Sequence, residues 1–244
     1  MLKFFRTIRR GLLAENRTTK YLLYAVGEIV LVVIGILIAL QINNWNEDRK
    51  LRSQEHLILA DLKSDLIESK EELEKMIVYN DSTVYFYNYI LEQMETDNPP
   101  DAVFERGLSF FTAWDSPYLT YTAYETLKNK GLDLIQNRDL KKQIVALYET
   151  TFAGLVNDYD RAEWVLAQAV TMPLANKVIR RVTGEVRRAV PMDYETLRHN
   201  DEFINALHQL IVIRKQGIRS CERVVSAIDH LIMAIDNKLG GNPK

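Results

Sequence analysis

Cysteine is almost missing from this sequence of 244 residues: Cys221 stands alone. That excludes an intramolecular disulfide, and with it any zinc or iron–sulfur site built on cysteine ligands. Glycine and proline are scarce too, ten and six, too few for a turn-dense β sandwich or a collagen-like repeat, so the expected class is all-α. The four histidines, at positions 56, 199, 208 and 230, have no Glu three residues ahead of them and form no HExxH, which removes the ligand patterns of di-iron bundles and zinc proteases. Glu195 and His199, four apart, have the spacing of a surface pair. GxSxG, GxxxxGK[ST] and GxGxxG do not occur. No catalytic residue, metal or cofactor is therefore expected, and the chain does not read as an enzyme. Disorder is excluded from the other side, because 47% hydrophobic residues against 26% charged ones are enough for a core.

What is present is unevenly distributed. Tyr21 to Asn43 reads YLLYAVGEIVLVVIGILIALQIN, with Glu28 as its one charge. Twenty-three residues at about 1.5 Å each make roughly 34 Å of helix, enough to cross the ~30 Å hydrocarbon core of a bilayer. The competing reading is a cleaved signal peptide, whose apolar region is typically ~7–15 residues. This run is longer and leads into Gln41, Ile42, Asn43, Asn44 and Trp45, so an uncleaved anchor over 20–44 is expected. Ahead of it, Lys3, Arg6, Arg9, Arg10, Arg17 and Lys20 face only Glu15, a net of +5 that leaves −7 for the remainder of a chain whose whole charge is −2. The positive end is expected in the cytoplasm and the acidic remainder outside it, at an inner membrane. Tyr21, Tyr24 and Trp45 sit at the two ends of the run, where aromatic belts occur. Residues 1–19 can form an amphipathic cytoplasmic segment, with Leu2, Phe5, Ile8 and Leu12 on one face and Arg6, Arg9 and Arg10 on the other. A plain basic tail is the alternative.

GEIVLVVIGILIALQINNWNE, Gly27 to Glu47, together with the leading KFFRTIRRGLLAEN, resembles the opening of a family of uncharacterised single-span inner-membrane proteins from Bacteroidota; TAYETLKNKGLDLIQNRDLKKQIVALYE, Thr122 to Glu149, is a weaker echo of the same family. The resemblance implies an inner-membrane anchor and a helical extracytoplasmic region. It brings no catalytic motif.

Within the span a carboxylate about 10 Å along the helix is costly unless it is neutral, paired or close to water. Helical spacing puts Tyr24, Glu28, Val32, Gly35 and Ala39 on one face, and Gly35 with Ala39 is a small-xxx-small pair that admits close approach of a second helix. This face is the candidate oligomer interface, with Glu28 hydrogen-bonded across it. Two alternatives stand beside it: a Glu28 hydrated near the inner membrane surface, and an ion or proton site of the kind stator subunits use.

Residues 45–244 read as an antiparallel helical bundle. From Asn46 to about Thr96 no Gly or Pro intervenes, and the seam Leu59, Leu62, Leu66, Ser69, Leu73, Met76, Asn80, Thr83, Tyr87, Ile90, Met94 is apolar at eight of eleven positions; it predicts a long coiled-coil-like helix, with either a register signal or a break near Asn80. DNPPD, Asp97 to Asp101, follows as a terminator. Residues 102–118, rich in aromatics, predict a short helix and a loop packed on the bundle, with Trp114 either core or pocket lining. Thr122 to Lys130 is a helix stopped by Gly131, and Asn137 caps a further helix carrying Leu140, Ile144, Leu147, Thr151, Leu155, Ala162, Val165 and Ala169 until Pro173 interrupts it. Lys177 to Arg188 holds five basic residues against Glu185 and reads as a solvated connection or a polyanion contact. Nucleic acid is a poor candidate for a segment expected outside the cytoplasm in an acidic domain. Asn200, Asp201 and Glu202 open the last helix, whose stripe Leu207, Ile211, Arg214, Ile218, Cys221, Val225, Ile228, Ile232, Ile235, Leu239 is apolar at nine of ten positions and stops at Gly240-Gly241.

The function this supports is a membrane-anchored helical interaction or scaffold protein that partners the lipid bilayer and further copies of itself. The rivals are a sensory or ligand-binding periplasmic bundle, which would need a membrane-protein partner for output, and an ion-coupled stator or channel-like assembly using Glu28.

Overall fold

The computed structural model describes residues 18–240. The amphipathic segment expected over 1–19 lies, up to position 17, outside the described residues, as does Gly241. Among the described residues the chain is all-α apart from one small hairpin. α1 spans Thr18–Met94, α2 Ala102–Ser109, α3 Thr122–Lys130 and α4 Arg138–Ala146. A helical run continues through π-helical stretches at Leu147–Phe152, Leu155–Asp160 and Ala167–Thr171, with α5 at Arg161–Leu166 and α6 at Met172–Val178. The strands β1 (Ile179–Arg181) and β2 (Ala189–Pro191) pair antiparallel, and α7 (Tyr194–Arg198) leads to α8 (Asp201–Gly240). By contacts the chain divides into two units, one ending at Gln54 and one beginning at Glu55.

In the first unit α1 is apolar and uncovered: Leu22, Ile29, Leu31, Ile36, Leu40 and Ile42 are each more than half exposed. It supplies the chain's one described helix long and apolar enough to cross a membrane.

In the second unit the seam of α1 behaves as its spacing predicts. All eleven positions from Leu59 to Met94 are buried, and the helix runs through Asn80 without a break. α8 lies antiparallel to it, since Lys63 meets Asp236 (2.6 Å), Lys70 meets Asp229 (2.6 Å), Met76 meets Cys221 (3.5 Å) and Asn80 meets Arg214 (3.0 Å). The segment between α2 and α4 also returns antiparallel along α1, and polar groups of α1 hold it at four levels. Tyr87 donates to the Phe110 carbonyl (2.8 Å), Ser69 accepts from the Thr120 amide (2.9 Å), Asp65 accepts from the Ala123 amide at the start of α3 (2.6 Å), and Glu55 accepts from the Gln136 amide (2.8 Å). Of these, the bond to the Ala123 amide satisfies a backbone donor that the start of α3 leaves open. The return places α4 back beside the beginning of the bundle, so the 138–178 run has the same sense as α1.

Local endings follow the sequence. Asp101 accepts from the Phe104 amide at the start of α2, Asn137 accepts from the Asp139 and Leu140 amides, Asn200 accepts from the Phe203 amide, and Gly131 follows α3. Three expectations are corrected. Ala162, Val165 and Ala169 are exposed, and the buried stripe instead passes through Tyr159, Glu163, Ala167, Thr171 and Leu174. Each π-helical turn adds a residue to the usual repeat and rotates the face that follows. Pro173 does not interrupt the run; it sits in the first turn of α6, directly after the π stretch Ala167–Thr171. Residues 177–188 are no simple connection, because β1 and the turn around Gly184 form half of a hairpin.

The core has two hydrophobic clusters. One joins Ile58–Met76 of α1 to Leu140–Tyr159 and to Cys221–Ile235 of α8; the other joins Val84–Met94 to Phe104–Phe111, Leu174–Ala189 and Phe203–Ile211. Between them lies a buried polar layer.

Candidate functional site

The polar layer is built by one residue from each long element. Arg214 of α8, Glu163 of α5 and Asn80 of α1 are all nearly inaccessible, and Tyr159 completes a closed ring of hydrogen bonds. The Arg214 guanidinium donates to Glu163 (2.9 Å) and to the Asn80 carbonyl oxygen (3.0 Å); the Asn80 amide donates to the Tyr159 hydroxyl (2.9 Å), which donates to Glu163 (2.8 Å). Arg214 also donates to the Ala113 carbonyl, fixing the start of the returning segment. Burial works against the Arg214 cation, but the facing Tyr87, Glu163, Tyr159 and Tyr79 outweigh it and hold the group above its ordinary value. Burial lifts the Glu163 carboxyl above its usual range, against the downward pull of Arg214 and the Tyr159 hydroxyl. The Tyr159 ring reaches this place only because position 217 of α8 is Gly: a Cβ there would lie 2.3 Å from the ring. Chemically this is a register lock, a buried ion pair that specifies how three elements align, with the Arg214 Nε donor alone left without a partner.

From Arg214 a series of rings leads to the surface. Its guanidinium stands 5.5 Å from the Tyr79 ring centre; Tyr79 meets Phe110 edge to face (6.0 Å), Phe110 stacks on Phe86 (5.3 Å), and Arg106 of α2 covers Phe86 (5.4 Å). Burial raises the Tyr79 hydroxyl above its usual range, so it stays protonated there. Two cavities of about 550 Å³ each open beside these rings and share Tyr79, Phe110 and Arg187. The hairpin that walls the first is tied to α2: Arg188 pairs with Glu105 (2.6 Å), and Arg181 donates to the Ser109 carbonyl (2.9 Å) and the Thr112 hydroxyl (2.8 Å). Trp114, the other aromatic singled out in the sequence, is partly buried against Trp164 (4.9 Å) and lines neither cavity.

The face expected to assemble lies elsewhere, in the first unit. Tyr24, Glu28, Val32, Gly35 and Ala39 all fall in α1, within an arc of about 80° at ~3.6 residues per turn. Val32 is 54% exposed, Glu28 is partly covered, and a Cβ built on Gly35 would meet nothing within 4 Å. The face therefore has room for a second helix backbone.

Among the described residues no three His, Cys, Asp or Glu side chains gather as they would to hold a metal ion. Cys221 is buried within the apolar stripe of α8 and contacts Met76. Burial pushes its thiol up to about 12, the reverse of what a nucleophilic cysteine needs.

The sequence showed parts of this arrangement. Arg214 was the one charge in the stripe of α8, and Asn80 and Thr83 interrupted that of α1. Glu163 gave no signal, because the π-helical turns before it rotate it inward. The aromatic and arginine cavities were missed as well; the residues that line them come from three stretches of sequence, and the basic run from Lys177 to Arg188 was the part of them that stood out.

No curated protein and no solved structure matches the chain. The profile of a family of unknown function (DUF6090) matches residues 28–160, a stretch that begins at Glu28, takes in the apolar end of α1 and closes with the second π-helical turn. It covers more than half of the sequence, and the chain belongs to that family.

Proposed function

We propose that this protein is a single-span, membrane-anchored interaction protein: the basic N-terminal end in the cytoplasm, the apolar part of α1 across the inner membrane, and the 45–244 region a periplasmic helical bundle that acts as a scaffold without catalysing a reaction. The observation that supports this reading most is the abrupt change along α1. Before Gln54 its large apolar side chains are bare, whereas from Glu55 onward its apolar seam is fully covered by the rest of the bundle. A helix with apolar residues on every side and no protein around it matches the requirement for lipid contact. Self-association is read from the Tyr24, Glu28, Val32, Gly35, Ala39 face, which joins a polar group to a close-packing pair.

Crosslinking of the full-length protein in membranes tests the assembly. Gly35→Leu fills the space above Gly35 and is expected to abolish the crosslinked oligomer, while Glu28→Gln keeps a hydrogen-bonding group and should leave it largely intact. An unchanged crosslinking pattern in Gly35→Leu removes this face as the interface.

A further inference from the structure

We infer that the paired cavities beside Tyr79 and Phe110 are a binding site for a small aromatic anion, a planar ring bearing a carboxylate. Their volume, about 550 Å³ each, lies in the range of small-molecule sites. Their walls present two complementary chemistries. Tyr79, Phe86 and Phe110 offer ring faces and edges, which take a planar apolar body by stacking or edge-to-face contact. Arg106 and Arg187 supply the charge.

These two arginines differ from their neighbours in how their donors are used. Arg188 is consumed by Glu105 and Glu185 (2.6 and 3.2 Å), and Arg181 by the Ser109 carbonyl and the Thr112 hydroxyl. The guanidinium groups of Arg106 and Arg187 have no hydrogen bond and no acidic partner among the described residues. Arg106 is nevertheless placed, lying over the Phe86 ring at 5.4 Å, and Arg187 borders both cavities. A guanidinium seated over a ring keeps N–H donors available for a carboxylate, which its fork can bind bidentately, as a lysine cannot. Of the acidic residues on the walls, Glu185 is already paired with Arg188 and Asp81 opposes the two free guanidinium groups alone, so the site keeps an excess of positive charge. The hairpin turn adds an apolar lip: Val186 borders the first cavity and is 90% exposed.

The test uses the full chain in nanodiscs of zwitterionic lipid, with 2-naphthoate as probe and its fluorescence as readout in equilibrium dialysis; binding to empty discs is subtracted. Saturable binding of one 2-naphthoate per chain is expected, with 2-naphthamide, its neutral isostere, about tenfold weaker or more, the fold-change of losing a charge-assisted hydrogen bond. The double variant Arg106→Gln/Arg187→Gln should lose a similar factor for the naphthoate and none for the amide. Arg219→Gln, an exposed arginine of α8 away from the cavities, should change neither. Absence of saturable binding, equal affinity for acid and amide, or naphthoate affinity indifferent to the double variant each overturns the site. The comparison of acid with amide needs no variant, so it decides the question even where a substitution disturbs folding.

Discussion

Removing the Arg214 guanidinium leaves the buried Asn80 carbonyl oxygen and the partly buried Ala113 carbonyl without their donor, and leaves the Glu163 carboxylate without its counter-charge, with only the Tyr159 hydroxyl donating to it. Arg214→Met fills a similar volume but strands that charge, and a loss of about 3–5 kcal/mol is expected, the scale for breaking one side of a buried ion pair. Adding Glu163→Met takes away the stranded carboxylate, so the double variant should recover much of the loss although it lacks more of the native bonds. Urea unfolding of the detergent-solubilised protein, followed by circular dichroism, measures both. Equal and additive losses would mean that the two side chains contribute independently and that no coupled lock exists. Arg214 was visible in the sequence as a charge inside an apolar stripe. Its partner was not, because a buried carboxylate is written no differently from an exposed one.

At the scale of the element, the 138–178 run separates regular helical periodicity from the packed structure. A continuous α-helix would bury Val165 and Ala169 along with Leu140 and Leu155. With π-helical stretches at Leu147–Phe152, Leu155–Asp160 and Ala167–Thr171, Val165 is 55% exposed and Ala167 only 6%. Val165→Asp should therefore change the melting temperature little, within the ±0.5 kcal/mol typical of surface sites, whereas Ala167→Asp places a carboxylate in the interior and should cost several kcal/mol. The reverse order would restore the uninterrupted α-helix. The buried positions of the α1 seam, by contrast, were all legible, although its periodicity left a break near Asn80 as open as the continuous helix that the structure has. Its eleven positions follow a single unbroken periodicity with no proline or glycine, so local spacing and tertiary burial agree. Where Glu163 and Tyr159 must reach Arg214 and Asn80, the packed state overrides the local repeat, and no periodicity written in the sequence announces it. The hairpin was hidden for another reason: β1 and β2 hold three residues each, too few for an alternating pattern, and the basic residues beside them read as solvated.

For the whole molecule, the buried titrating groups set a direction for stability with pH. Burial pushes the Cys221 thiol from 9.0 up to about 12, and Tyr87, Tyr124, Tyr148 and Tyr159 are likewise raised by burial above their ordinary 10.0. All five folded values lie above the unfolded ones, so the folded chain holds more protons once pH passes about 9, and stability falls as pH rises. Their contribution is complete below pH 9 and is lost progressively through pH 12. Urea midpoints at pH 8, 9.5 and 11 should decline in that order; a midpoint that rises over this range contradicts the burial of these groups.

The central claim is that the first part of α1 lies in lipid while the second unit folds on its own core. Alkaline carbonate extraction of membranes tests it most directly, comparing the full-length chain with one that begins at Arg52. The full-length protein should stay in the membrane pellet and the shortened one should appear in the supernatant, with a mainly helical circular dichroism spectrum and a cooperative melt. Release of the full-length protein by carbonate would contradict the membrane anchor, and an insoluble or unfolded shortened chain would contradict the independence of the bundle.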